Sequence, residues 1–181
     1  MQEPKVSIAG PTIQALAFAH EEDALREMYL ELLKAAMDSR VSTEAHPAFV
    51  EIIKQLSPEE ANLVKPLLDS NTPAIEIRLV NSETEAWSLL VTNLLNYHDI
   101  ETGKPLENPR IPSIVSNFNR LGLITITYDI TLQNSDLYSW AENRPEYIAA
   151  LDNHKDKRVD IKKGFLRPTP LGKQFAKVVG I

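Results

Sequence analysis

The sequence predicts an α+β fold that is mainly α, with a helical N-terminal part over residues 1–56 packed on a winged-helix-like module over residues 57–181. Three observations lead there. Apolar residues recur at three- and four-residue spacings through most of the chain, which is the helical period. Three segments alternate between apolar and polar residues, as half-buried strands do. From residue 57 onward the expected order is helix, strand, helix, helix, strand, wing, strand, helix, which is the order of a winged helix.

Each element has its own warrant. Pro11 opens a short apolar helix reaching about His20. A longer helix follows over Glu21–Asp38, with Leu25, Met28, Tyr29, Leu32 and Ala36 on one face and acids in its first turn, where the helix dipole favours anions. Pro47 stands as the first residue of a third helix, with Phe49, Ile52, Ile53 and Leu56 as its stripe. Ser57, Pro58 and Glu60 form a capping box for a fourth helix, which Pro66 keeps short. Ala74–Val80 alternates as a strand. Ser82 and Glu85 read as a second capping box, opening a helix that carries Trp87, Leu90, Val91, Leu94 and Leu95.

A loop over His98–Asn108 precedes a helix over Pro109–Leu121, whose inner face is Ile111, Ile114, Val115, Phe118 and Leu121 and which Gly122 caps. That loop has 11 residues, whereas helix-turn-helix connections have about 3–4, so the DNA-reading geometry need not be kept. Leu123–Leu132 alternates strictly and predicts a strand. A long wing loop over residues 133–158 follows, with room for a short helix after Pro145. A return strand over Val159–Arg167 leads to Thr169 as N-cap and a closing helix through Leu171, Phe175 and Val178.

Composition narrows the chemistry. The 181 residues hold no cysteine, which excludes disulfides, thiol catalysis and Cys-ligated metals. No apolar run approaches the ~18 residues that span a bilayer, and no export signal is legible, so a cytoplasmic protein without membrane contact is expected. The four histidines, His20, His46, His98 and His154, share no zinc-ligand spacing. His20 beside Glu21, Glu22 and Asp23 reads as a charged helix start, His98–Asp99 as a loop pair, and His46 as helix-entry chemistry. The six glycines are isolated, so no phosphate-cradling loop is formed. The expectation is a non-enzyme with no catalytic residues, no cofactor, no metal and no small-molecule substrate.

Binding has more support. The net charge is −6, with 6 basic and 12 acidic residues in 1–70, while residues 154–177 carry 8 basic residues against Asp156 and Asp160. Two candidate nucleic-acid contacts follow. One is the helix face carrying Arg110, Ser113, Asn117 and Arg120, in a stretch without acids from 108 to 128. The other is the wing and return strand, with Lys155, Lys157, Arg158, Lys162, Lys163 and Arg167. A solvated face explains both more simply. Trp140 and Tyr147 either offer a partner contact or tuck their loop onto the core.

Four runs carry a family resemblance: Leu25–Asp38 (LREMYLELLKAAMD), His46–Ala61 (HPAFVEIIKQLSPEEA), Leu121–Ile124 (LGLI), and Pro168–Gly172 (PTPLG) with Phe175. Together they resemble the abortive-infection alpha (Abi-alpha) family of bacterial proteins over nearly the whole chain. The resemblance implies a component of phage resistance and brings no catalytic residue or cofactor with it. The function expected is a protein-interaction or regulatory role in phage defence, through a protein partner or self-association. The alternative is a winged-helix DNA-binding regulator.

Overall fold

The structure is a computed structural model that describes residues 3–19, 21–98 and 102–180. It is α+β and mainly α. The chain divides into two compact units. One unit takes residues 1–70, 121–123 and 168–181; the other takes 71–120 and 124–167.

The first unit is helical. It holds α1 (Val6–Leu16), α2 (Asp23–Met37), α3 (Ala48–Ile53), α4 (Pro58–Asp69) and the C-terminal helix Pro170–Val178. The stripe on α2 is buried as its spacing predicts, through Leu25, Met28, Tyr29, Leu32 and Ala36. Burial, with Glu51 nearby, pushes the Tyr29 phenol up to about 12. His46 enters α3 by accepting the Ala48 N–H on Nδ1 at 3.1 Å. The α4 box is complete, with Glu60 N–H donating to Ser57 Oγ and Ser57 N–H donating to Glu60 Oε2 at 2.7 Å.

Two boundaries differ from expectation. Pro11 lies inside α1, which starts five residues earlier at Val6. Its missing N–H costs one helical hydrogen bond, and the rest of the helix carries on around it. Pro66 likewise lies within α4, which runs on to Asp69. Phe49 of α3 meets Phe175 of the C-terminal helix edge-on, with centroids 5.4 Å apart.

The resemblance motifs near the C-terminus are one joint. Thr169 N–H donates to Leu123 O at 2.9 Å, and Thr169 Oγ1 accepts from Gly172 N–H at 2.9 Å. A Cβ on Gly172 would sit 2.1 Å from Leu123 O, so only glycine lets the helix start approach this closely. Gly122, at φ +72°, turns the chain into the joint.

The second unit is built on a four-stranded antiparallel sheet. Its strands are β1 (Thr72–Val80), β2 (Trp87–Leu95), β3 (Ile124–Thr127) and β4 (Arg158–Pro168), in the order β2-β1-β4-β3. The helix α5 (Ile111–Arg120) packs on β2 and β3. The sheet curls enough for Tyr128, just beyond edge strand β3, to donate from its hydroxyl to Asn93 Oδ1 of the opposite edge strand at 3.0 Å.

The helix expected over residues 82–97 is strand β2. Asn81 decides this locally: its Oδ1 accepts from the Glu83 and Thr84 N–H groups, and its own N–H donates to Ala86 O. That side-chain turn takes the place of the Ser82–Glu85 capping box and folds the chain back along β1. From α4 on, the order is therefore helix, strand, strand, helix, strand, helix, strand, helix, and a strand stands in place of the second helix on which the winged-helix order rested. The strand expected over Leu123–Leu132 stops at Thr127, where Tyr128 leaves the ladder for Asn93.

Residues 133–158 form no projecting wing. Two 3-10 turns, Ser135–Tyr138 and Ala141–Asn143, and α6 (Pro145–Asn153) lie over one face of the sheet. Tyr138, Ala141 and Ala150 are buried there against Ile75, Ile77 and Leu94, with Trp140 and Tyr147 half-buried beside them. Trp140 and Tyr147 thus tuck this segment onto the core. The Tyr138 hydroxyl donates to Gly164 O at 2.8 Å.

Candidate interaction surface

β2 is an edge strand, and half of it is open. Six of its nine residues stand opposite β1 on one side, from Trp87 opposite Val80 to Leu95 opposite Ala74. On its other side no further strand pairs among the described residues, which leaves an open edge. Trp87 is 56% exposed, Leu89 49% and Leu90 39%. No charged residue occurs between Ala86 and Tyr97. Lysines and prolines, which block many natural edges, are missing here; the blunting that exists is two register shifts, beside Glu76 and Arg78. One lies at Asn93, whose φ of +55° marks it as the bulged residue.

The concave face beneath this edge is polar and fully bonded. Glu76 and Arg78, the polar residues of the β1 alternation, are largely buried and paired, with Nη2 2.6 Å from Oε2. The Arg78 guanidinium lies 4.0 Å over the Trp87 ring, which holds the indole at the edge. Asn93 receives the Tyr128 hydroxyl on Oδ1 and donates from Nδ2 to Ser116 Oγ of α5 at 3.3 Å. Burial raises the Tyr128 phenol above its ordinary value. Gly164 makes this closure possible, since a Cβ there would lie 2.2 Å from Thr127 O and 2.4 Å from the Tyr128 ring. No buried side-chain polar atom among the described residues lacks a hydrogen bond. The cluster braces the sheet.

Arg110, Ser113 and Arg120 are exposed along α5, with Asn117 half-buried between them. Ser113 Oγ donates to Arg110 O, and Arg120 donates from Nη2 to Asn117 Oδ1 at 2.6 Å. On β4 the alternation of the strand separates the rest. Arg158 and Lys162 stand opposite Val80 and Glu76, whereas Lys163 stands opposite Ile75 on the other face. Arg158 is paired with Glu85 at 2.8 Å, and Lys163 Nζ lies 5.4 Å over the Tyr138 ring. Lys155, Lys157 and Arg167 are exposed at the two ends of the strand. The basic run is one stretch of sequence and two surfaces.

The three described histidines do not converge. His46 caps α3, His98 bridges to Pro105, and His154 O accepts the Lys157 N–H. His20 and Asp99 lie outside the described residues. No helix among the described residues is long and apolar enough to cross a membrane.

The four resemblance runs all fall in the helical unit and its Leu123–Thr169 joint, apart from Ile124, which begins β3. The sequence profile of the abortive infection alpha family matches residues 1–179. The chain belongs to that family. The match takes in both units and so includes the open β2 edge as well as the helices. A solved structure of an uncharacterized protein from the hydrocarbon-degrading marine bacterium Alcanivorax borkumensis SK2 is 16% identical, with a TM-score of 0.46, over 80% of this chain and 99% of that one. No curated protein matches. Within the family, Trp87, Leu89 and Leu90 are the surface residues that sequence reading missed. The absence of charge from 86 to 97 was the available signal, and the helical reading of 82–97 concealed it.

Proposed function

We propose that this Abi-alpha protein acts in an abortive-infection response as a cytoplasmic, non-enzymatic interaction component, docking a protein partner along the free edge of β2. The observation that carries this is the edge itself: Trp87, Leu89 and Leu90 are exposed on an uncharged strand whose outer side has no paired strand among the described residues. An extended partner segment adds there by backbone hydrogen bonds, with the exposed apolar side chains supplying selectivity. The DNA-binding alternative has weaker support, because β4 divides its lysines between two faces and a strand stands where a winged helix has its second helix.

The test is phage challenge of bacteria expressing the protein. Leu89→Lys places a charge on the free edge at an exposed position and leaves the core alone. Loss of protection with Leu89→Lys, and retention with Arg110→Ala and Lys162→Ala, is the expected result. The opposite pattern, with DNA binding whose log affinity falls by about 0.9 per phosphate contact for each decade of salt, overturns it.

A further inference from the structure

A second exposed surface, distinct from β2, lies on α1. From Val6 to Ala19 the chain has no charged residue. One side of α1 is buried through Ile8, Thr12 and Ala15. The opposite side carries Val6, Gly10, Ile13 and Ala17, all exposed, with Val6 at 81% and Ile13 at 59%. At about 100° per residue these four fall within an arc of roughly 60°. Their spacing of four, three and four is that of a coiled-coil seam. Beside the seam stands Phe18, 80% exposed, on the rim of an open cleft of about 410 Å³ whose walls include Ala15, Leu25, Tyr29, Ile53 and Leu56.

We infer that α1 is the self-association surface of this protein, and that two copies pair their α1 helices antiparallel about a two-fold axis. The seam sequence is self-complementary in that arrangement alone. Val6 faces Ala17 of the second copy and Gly10 faces Ile13, so each large residue meets a small one. Parallel pairing sets Val6 on Val6 and Ile13 on Ile13. A Cβ added at Gly10 meets nothing within 4 Å in its own chain, which leaves that space for the facing Ile13.

Charge selects the same orientation. Lys5 precedes the seam, and Glu21, Glu22 and Asp23 follow it. Antiparallel pairing brings each Lys5 to the acidic end of the other copy, while parallel pairing stacks acid on acid. Val6 of the second copy then packs against Ala17 and Phe18 at the mouth of the cleft. With so short a seam the buried area falls below the ~1,200 Å² of a standard interface, so the dimer is concentration-dependent.

Sedimentation equilibrium of the whole chain over a range of concentrations tests this. Wild type is expected to move from monomer to dimer as concentration rises. Ile13→Glu is expected to weaken association by at least about tenfold, with an unchanged thermal melt, since the side chain is already exposed. Lys5→Glu and Glu22→Lys each weaken self-association alone, and their equimolar mixture recovers a heterodimer. Leu89→Lys remains dimeric, which separates this surface from the β2 edge. A wild type that stays monomeric, an Ile13→Glu variant that still dimerises, or loss of the dimer in Leu89→Lys overturns the inference. So does a monomer that co-sediments with phosphatidylcholine vesicles through Ile13, because α1 then serves a lipid surface.

Discussion

Replacing Arg144 by alanine is expected to be among the most damaging single changes in the sheet unit. Its side chain is 2% exposed and that of its partner Glu146 is 10%. Nε and Nη2 donate to the two Glu146 oxygens at 3.0 and 2.7 Å; Nη1 donates to Tyr97 O at 2.5 Å and Nη2 to Leu106 O at 3.0 Å. One planar guanidinium therefore neutralises a buried carboxylate and ties the start of α6 to both ends of the 97–106 connection. Removing one member of a buried pair costs about 3–5 kcal/mol, because the other charge stays behind without a partner. With a urea slope of about 2 kcal/mol/M, that lowers the unfolding midpoint by about 1.5–2.5 M. Arg144→Lys keeps the charge but loses the fork, and falls between wild type and alanine. Removing both charges in Arg144→Ala/Glu146→Ala costs less than the sum of the single losses, and the double-mutant cycle measures the difference. A loss under about 1 kcal/mol for Arg144→Ala, or a strictly additive cycle, would refute the reasoning, since either result describes a solvated surface pair.

Two other perturbations test separate parts of the molecule. Gly172→Ala forces a methyl group against Leu123 O, where 2.1 Å is available, and overpacking of this kind costs about 1–3 kcal/mol in chemical denaturation; a neutral result would mean that the joint is looser than described. The Asp38 carboxyl is held at about 2, chiefly by its hydrogen bonds from the Arg40 guanidinium and then by the Arg40 backbone N–H. A depressed carboxyl pKa stabilises the fold above its ordinary value of 3.8 and loses that contribution as pH falls toward about 2. A carboxyl-detected NMR titration is therefore expected to show a late-protonating Asp38, with Arg40→Ala moving its midpoint back up; an unchanged midpoint in Arg40→Ala would assign the shift elsewhere.

The sequence by itself determined the features that act over a few residues. Ser57 with Glu60, and Thr169 before Pro170, announce their helices because a capping side chain reaches only two or three residues along the chain. The stripes on α2 and α5 and the alternation in β1 are periodic patterns, which survive without knowledge of a partner. The four family runs were legible for a related reason: they encode one helical core and its Leu123–Thr169 joint.

Tertiary structure decided the rest. Residues 87–95 satisfy a helical stripe and a strand about equally well, and the free edge of β1, which needs a hydrogen-bonding partner, made them a strand once Asn81 had turned the chain. The polar composition of 133–158 concealed a segment that folds over the sheet through a few residues, among them Tyr138, Ala141 and Ala150. Nothing local marks Arg144, because two of its acceptors are backbone carbonyls 47 and 38 residues away. The basic run on β4 looked like one surface because charge counted along a chain ignores the pleat, which sends neighbours such as Lys162 and Lys163 to opposite faces. In each case the deciding contact joins residues distant in sequence, and no local pattern carries information about a partner that only folding brings near.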